Sequence, residues 1–153
     1  MKKLSVIIPA RNEADNLPDC LIEISKELKG QKIQHEILVV DDGSSDKTKV
    51  IVTDLQLNIP EINYLKNTGD NGFGRAIRLG LENFSGDAVA IMMADRSDSP
   101  KDLVKYWNVL NGGVECAFGS RFIKGSKIYD YPKVKLLMNR IVNMMIKYAF
   151  RIK

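Results

Sequence analysis

Val39-Val40-Asp41-Asp42-Gly43-Ser44-Ser45-Asp46 is the stretch that decides the fold. A mostly apolar run, Glu36–Val40, ends directly in two adjacent carboxylates. Ser45 or Asp46 is placed to cap a helix running to about Leu55. The same succession recurs on either side. Towards the N-terminus, Leu4–Ile8 is an apolar strand stopped by Pro9, and Leu17, Leu21, Ile24 and Leu28 recur at helical spacing in a helix with Pro18 near its start and Gly30 at its end. Towards the C-terminus come a short strand at Ile62–Leu65, a helix over Gly74–Asn83 and a turn closed by Gly86. A strand at Ala88–Met93, a helix over Pro100–Leu110 and a further short strand at Cys116–Phe118 follow. Unbroken apolar strands separated by helices are buried on both faces. That predicts an α/β domain with a mostly parallel central sheet flanked by helices.

A chain of 153 residues has room for one domain with a proper core and not for two comfortable ones. Its 44% hydrophobic and 27% charged residues are ordinary for a soluble globular protein. His35 is the only histidine, which excludes a multi-histidine metal site and chemistry built on several imidazoles. Cys20 and Cys116 lie far apart in apolar stretches, so both are expected to be reduced core residues in a cytosolic setting. The apolar run after Lys2-Lys3 is about six residues, too short for a signal-peptide core. No stretch reaches the ~20 apolar residues of a membrane span. Charge is unevenly divided. Residues 1–120 carry fourteen Lys/Arg and eighteen acids, a net −4, whereas residues 121–153 carry nine Lys/Arg and only Asp130, a net +8. A basic tail on an acidic body suits contact with phosphate, on a lipid or on a substrate; the plainer alternative is a solvated basic helix.

Open α/β sheets bind ligands outside the carboxyl ends of their strands. Polar clusters gather at three such ends: Pro9-Ala10-Arg11-Asn12-Glu13, Asp41–Asp46, and Asp95-Arg96-Ser97-Asp98. A kinked loop at Pro9 with Glu13 can lay amides and a carboxylate along a ribose or base, or simply stop a strand. Consecutive carboxylates at Asp41 and Asp42 repel unless something draws on them, and a helix cap accounts for only one acid. Asn71-Gly72-Phe73-Gly74-Arg75-Ala76 reads either as a glycine-rich phosphate loop at a helix N-terminus or as an ordinary capped turn. Asp95 follows an apolar strand and could hold a divalent ion against a diphosphate, with Asp98 or Ser99 left to cap the helix at Pro100. Arg121, in Gly119-Ser120-Arg121-Phe122, is either a bidentate phosphate ligand or a surface arginine.

In order and spacing, Val6–Glu13, Asp41–Asp46, Asn71–Gly80, Met93-Ala94-Asp95 and Gly119–Phe122 resemble the motifs of family 2 glycosyltransferases with the GT-A fold, closest to the polyprenyl- or dolichol-phosphate mannosyl- and glucosyltransferases. The resemblance implies one GT-A domain over 1–153, cut short on the acceptor side, with 131–153 as a basic amphipathic helix. It implies a nucleotide-sugar site formed by Pro9, Ala10, Asn12, Glu13, Asp41, Asp42, Gly74, Ala94 and Asp95. Asp95 and Arg121 take the catalytic roles. Mg²⁺ or Mn²⁺ is held by Asp95 with Ser97 and Asp98, and the acceptor phosphate is met by Arg121, Lys135 and Arg140. The family's Asp-x-Asp is incomplete here, because Met93 occupies the first position and a thioether is a poor ligand for a hard cation.

The implied reaction is inverting displacement of a sugar from a GDP- or UDP-linked donor by a polyprenyl phosphate. An acceptor that is already anionic needs no strong general base. Transfer to a polysaccharide hydroxyl, and a nucleotide-sugar-binding module without turnover, stay open as alternatives. Lys133, Arg140, Lys147 and Arg151 share one helical face, while Val134, Leu137, Ile141, Met145 and Ile152 form an apolar stripe. Such a helix suits a membrane surface, placing the protein peripherally at the cytoplasmic face, or packs on the sheet. No nucleic-acid partner is expected.

Overall fold

The computed structural model describes residues 2–119 and 132–151. Four strands alternate with helices: β1 (Lys3–Ala10), α1 (Leu17–Gly30), β2 (Gln34–Asp41), α2 (Thr48–Asn58), β3 (Ile62–Lys66), α3 (Phe73–Asn83), β4 (Ala88–Ile91) and α4 (Pro100–Asn111). A last helix, α5, spans Lys133–Ala149. The chain forms two compact units, Met1–Ala117 and Phe118–Lys153.

In the first unit the strands make one sheet in the order β3-β2-β1-β4, with every pair parallel. Alternation along the central strands sends side chains to two cores. Leu4, Val6 and Ile8 of β1, with Ile37 and Val39 of β2, meet Leu17, Leu21, Ile24 and Leu28 of α1, Val52 of α2, and Leu103 and Trp107 of α4. Ile7, Leu38 and Val40 point to the other face and meet Ala76 of α3. The approach of α3 is close, for a Cβ at Gly80 would lie 2.6 Å from Ile7 Cγ2. The unbroken apolar runs of β1 and β2 therefore reflect helices on both faces of the sheet.

Pro9 does not stop β1, which pairs with β2 as far as Ala10↔Asp41. Ala10 gives its carbonyl to the Asp42 N–H on the β2 side, whereas Ile7 gives its carbonyl to Met92 on the β4 side. Pro9 is in phase with Ile7, so its missing N–H falls on the β4 side, where pairing has ended at Ile7↔Ile91. This also shortens β4 to Ala88–Ile91 against the expected Ala88–Met93. Cys116–Phe118 is not a strand. A three-residue run becomes one only where a ladder accepts it, and among the described residues none does. Cys116 is consequently exposed, contrary to the core position expected, while Cys20 is buried. Burial, then the Glu23 carboxylate, pushes the Cys20 thiol up to about 11, leaving it unreactive.

At the amino ends of the strands, Glu36 is the buried hub of a polar network. Its Oε1 accepts from Ser5 Oγ and, at 2.7 Å, from the Ser85 amide; its Oε2 accepts from Lys3 Nζ at 2.9 Å and Ser85 Oγ at 2.8 Å. Burial alone would raise its pKa, but the Ser5, Ser85 and Lys3 donors outweigh it and hold the carboxyl at about 2. A folded-state value depressed from 4.5 supplies stability that is present above pH 5 and lost as pH falls towards 2, on the order of 3 kcal/mol. Glu36→Gln is expected to lose stability of that order in urea unfolding at pH 7, with the gap to the parent closing as the pH approaches 2.5. A gap that did not change with pH would show that the carboxylate charge is not what the network recognises.

Candidate functional site

The carboxyl ends of the strands open into four loops, and the first three are tied to one another by side chains. In the β1–α1 loop, Asn12 takes a left-handed conformation, φ 57°. Its amide donates to Ser44 Oγ at 3.0 Å, and its Oδ1 accepts the Ser45 amide at 2.8 Å. The Glu13 and Ala14 amides donate to Thr48 Oγ1 and Asp46 Oδ2, both at 3.1 Å. Asp46 also accepts the Thr48 amide at 2.9 Å, closing a turn just ahead of α2; the N-cap position itself is Lys47 and carries no side-chain cap, contrary to the cap expected at Ser45 or Asp46. Pro9 and Ala10 are buried at the end of β1. The Glu13 carboxylate accepts from Asn16 Nδ2 at 2.7 Å.

Asp41 and Asp42 are nearly enclosed, at 3% and 5% exposure. Asp41 Oδ1 accepts the Ser44 amide at 2.8 Å, and its Oδ2 accepts the Tyr64 hydroxyl at 2.6 Å. Burial pushes the Asp41 pKa up, but the hydrogen bonds from Ser44 and Tyr64 outweigh it and hold the carboxyl below the usual range. Burial and then Asp41 itself push the Tyr64 phenol well above its ordinary value, so it stays a donor. Asp42 turns the other way. Its Oδ1 accepts from Asn67 Nδ2 and its Oδ2 from the Gly72 amide, both at 2.7 Å. The repulsion between neighbouring acids is thus met by donors from β3 and from the loop ahead of α3.

That geometry changes the reading of the glycine-rich loop, because the Gly72 amide donates to Asp42. Gly74 still faces open space at the first turn of α3, with nothing within 4 Å of a Cβ placed there. Gly43, at φ 81°, packs against the loop, since a Cβ on it would lie 2.8 Å from Asn71 Oδ1. Only glycine combines that backbone with that approach.

The β4–α4 loop is organised separately. Ala94 is buried, and the Asp95, Ser97 and Asp98 side chains are exposed. Asp95 Oδ1 accepts the Ser97 amide at 3.0 Å. Asp98 Oδ2 accepts the Met93 amide at 3.0 Å, so this acid folds back onto the loop instead of capping α4. Arg96, at φ 61°, reaches Asp19 and Glu23 of α1 and anchors the loop to that helix. No three histidines, cysteines or acids cluster as a metal cage among the described residues.

The family model described as "Glycosyl transferase family 2" matches residues 5–152. The chain belongs to this family. It is 33% identical over 147 residues to a dolichol-phosphate mannosyltransferase of Pyrococcus furiosus, covering 96% of this chain and 41% of that protein. It is 31% identical to a polyprenol monophosphomannose synthase of Mycolicibacterium smegmatis, covering 94% of this chain and 54% of that one. The chain therefore spans about half the length of these relatives, or less. A mannosyltransferase from Pyrobaculum calidifontis, solved with GDP-Man and Mn²⁺, is 29% identical with a TM-score of 0.54, over 60% of this chain and 27% of that one. Residues 1–349 of S. aureus TarS superpose with a TM-score of 0.59 at 22% identity, over 72% of this chain and 32% of that one. The fold is of the GT-A type.

Within this family 2 unit, Asn12, Glu13, Asp41 and Asp42 are brought together through Ser44, Thr48 and their loops. Arg121 lies outside the described residues. Lys135 and Arg140 belong to α5, in the second unit, and are exposed. Tyr64, Asn67 and Arg96 were not singled out from the sequence. Tyr64 reads there as a strand aromatic, Asn67 as a turn residue and Arg96 as part of a charged loop; only the fold gives them partners. Tyr64→Phe leaves an Asp41 oxygen short of a buried donor, which costs about 1–3 kcal/mol. The loss should be largest in urea unfolding at neutral pH and shrink in acid, as Asp41 protonates in both proteins.

Proposed function

We propose that this chain carries the donor-binding half of an inverting glycosyltransferase that passes a sugar from a nucleoside diphosphate to a polyprenyl phosphate. The observation that carries the reading is the paired Asp41–Asp42 at the end of β2, interlocked with the Asn12 and glycine-rich loops in a family 2 chain. Support comes from relatives named for dolichol-phosphate and polyprenol transfer, and from a neighbour solved with GDP-Man and Mn²⁺. Each carboxylate oxygen keeps a second lone pair, so Asp41 and Asp42 can accept from a base or ribose while retaining their protein donors. Pro9, Ala10, Asn12, Glu13 and Gly74 shape the surroundings, Asn12 by holding Ser44 and Ser45 and Gly74 by leaving backbone open at the start of α3.

A divalent cation fits the Asp95 loop in one specific sense. Mg²⁺ and Mn²⁺ use one or two carboxylates and complete their shell with phosphate oxygens and water, so a three-acid cage is not required. Asp95 and Asp98 supply the carboxylates, and the bond from the Met93 amide to Asp98 brings an acid back to the backbone of the position where the motif lacks one. Held there, such a cation would offset the charge of the diphosphate. In the reaction, an anionic acceptor oxygen forms the new bond to the anomeric carbon as the bond to the diphosphate oxygen breaks and its electron pair leaves with the nucleoside diphosphate. The chain's task is to orient the donor and stabilise that charge, with Arg121 as the arginine on phosphate.

For the acceptor side, Val134, Leu137, Met138, Ile141 and Met145 of α5 are exposed apolar residues, accompanied by Arg140 and Lys147. A helix of this kind can seat its apolar face in a lipid interface and its cations on anionic headgroups, which supports acceptor steps carried out at a membrane surface, on our reading the cytoplasmic face. Among the described residues no helix is long and apolar enough to cross a membrane.

Calorimetry with GDP and UDP, each with and without Mn²⁺, should show one nucleoside diphosphate bound and its affinity raised by the ion. Asp95→Ala should abolish that increase and the Mn²⁺-induced paramagnetic broadening of bound nucleotide; binding of neither nucleotide would remove the donor reading. Flotation should recover the chain with phosphatidylglycerol vesicles and not with phosphatidylcholine. Arg140→Glu with Lys147→Glu should reduce recovery by more than about tenfold, at roughly 1 kcal/mol per cation.

A further inference from the structure

We propose that Asn67 is a positioning residue for the donor site, latching Asp42 to the loop that starts α3; the inference rests on the donor reading above. Asn67 lies immediately beyond β3 and joins three elements. Its backbone N–H donates to the Asp41 carbonyl at 2.9 Å, extending the β2–β3 ladder by one step. Its side-chain Nδ2 donates to Asp42 Oδ1 at 2.7 Å and to the Asp70 carbonyl at 3.0 Å. Its Oδ1 accepts the Gly69 amide at 3.0 Å. One amide group therefore folds the 67–70 turn around itself while gripping the acid of the neighbouring strand. Asp42 completes the circuit by accepting the amide of Gly72, the cap position just ahead of α3.

The chemistry of position 67 is narrow. It needs a donor towards Asp42 and an acceptor towards Gly69 on one short, planar side chain, which asparagine supplies. Aspartate would set a third acid against Asp42, and alanine would leave a nearly enclosed carboxylate oxygen without its donor. With the latch closed, the Asp41–Asp42 pair and the first turn of α3 are held in one arrangement before any ligand arrives. With it open, the donor must order them on binding, and affinity falls by that amount.

Two measurements on Asn67→Ala test this. Amide hydrogen exchange is expected to speed at Gly72 and Gly69 by about tenfold or more, with the β1 amides Val6 and Ile8 unchanged. Nucleoside diphosphate affinity is expected to fall about tenfold, the scale of a lost hydrogen bond to a charged group, and to show no further fall when the same substitution is added to Asp42→Ala. Additive losses in that cycle would make Asn67 a general structural residue, and unchanged exchange at Gly72 would remove the latch altogether. Should the parent bind no nucleoside diphosphate, the donor reading fails by itself and the exchange experiment alone decides the latch. Asn67→Ser, which keeps a hydroxyl but not the reach, replaces the alanine variant if that one unfolds.

Discussion

Two adjacent carboxylates at the end of a buried strand are the constraint around which the upper half of this unit is arranged. Asp41 and Asp42 have almost no contact with solvent, so each oxygen requires a donor from the protein. The donors come from places far apart in the chain: Ser44 ahead of α2, Tyr64 in β3, Asn67 just beyond it, and Gly72 at the start of α3. Satisfying this pair fixes where β3 ends, how the 67–70 turn folds and where α3 begins.

The opposite end of the sheet repeats the principle with a different purpose. Glu36 collects Lys3, Ser5 and Ser85 around one carboxylate, and Asp87 accepts the Lys2 and Lys3 amides at 2.7 and 2.8 Å. These bonds close the α3–β4 connection onto the start of β1, leaving that end as scaffold. Polar groups at one end hold the strands in register, and those at the other hold loops. Between them lie two apolar layers, one made with α1, α2 and α4 and the other with α3.

The β4–α4 loop follows a looser logic. Asp95 and Asp98 are exposed and bonded to backbone amides of their own loop, while Arg96 anchors it to α1. A left-handed residue other than glycine is worth its strain only where its side chain has a task, and here the guanidinium meets two carboxylates. Asp98 returns to accept the Met93 amide, a contact within the loop that spacing along the chain did not disclose.

Much of the architecture was legible in order. Mostly apolar runs at Leu4–Ile8 and Glu36–Val40, and the i, i+3/i+4 recurrence of Leu17, Leu21, Ile24 and Leu28, dictate strand or helix from local periodicity, because burial on one or two faces writes itself into neighbouring residues. The acids that follow those runs were legible too, and the fold gathers those of the first two strand ends at one end of the sheet. What local patterning could not settle was which side of a strand would find a partner. Pro9 continues β1 because its missing N–H falls on the side where pairing with β4 ends, and Cys116–Phe118 stays irregular because no neighbour among the described residues accepts it. The roles of Tyr64, Asn67, Gly72 and Arg96 belong to the tertiary structure alone: each is defined by a hydrogen bond or ion pair spanning more than twenty residues, a relation no single stretch of the chain contains.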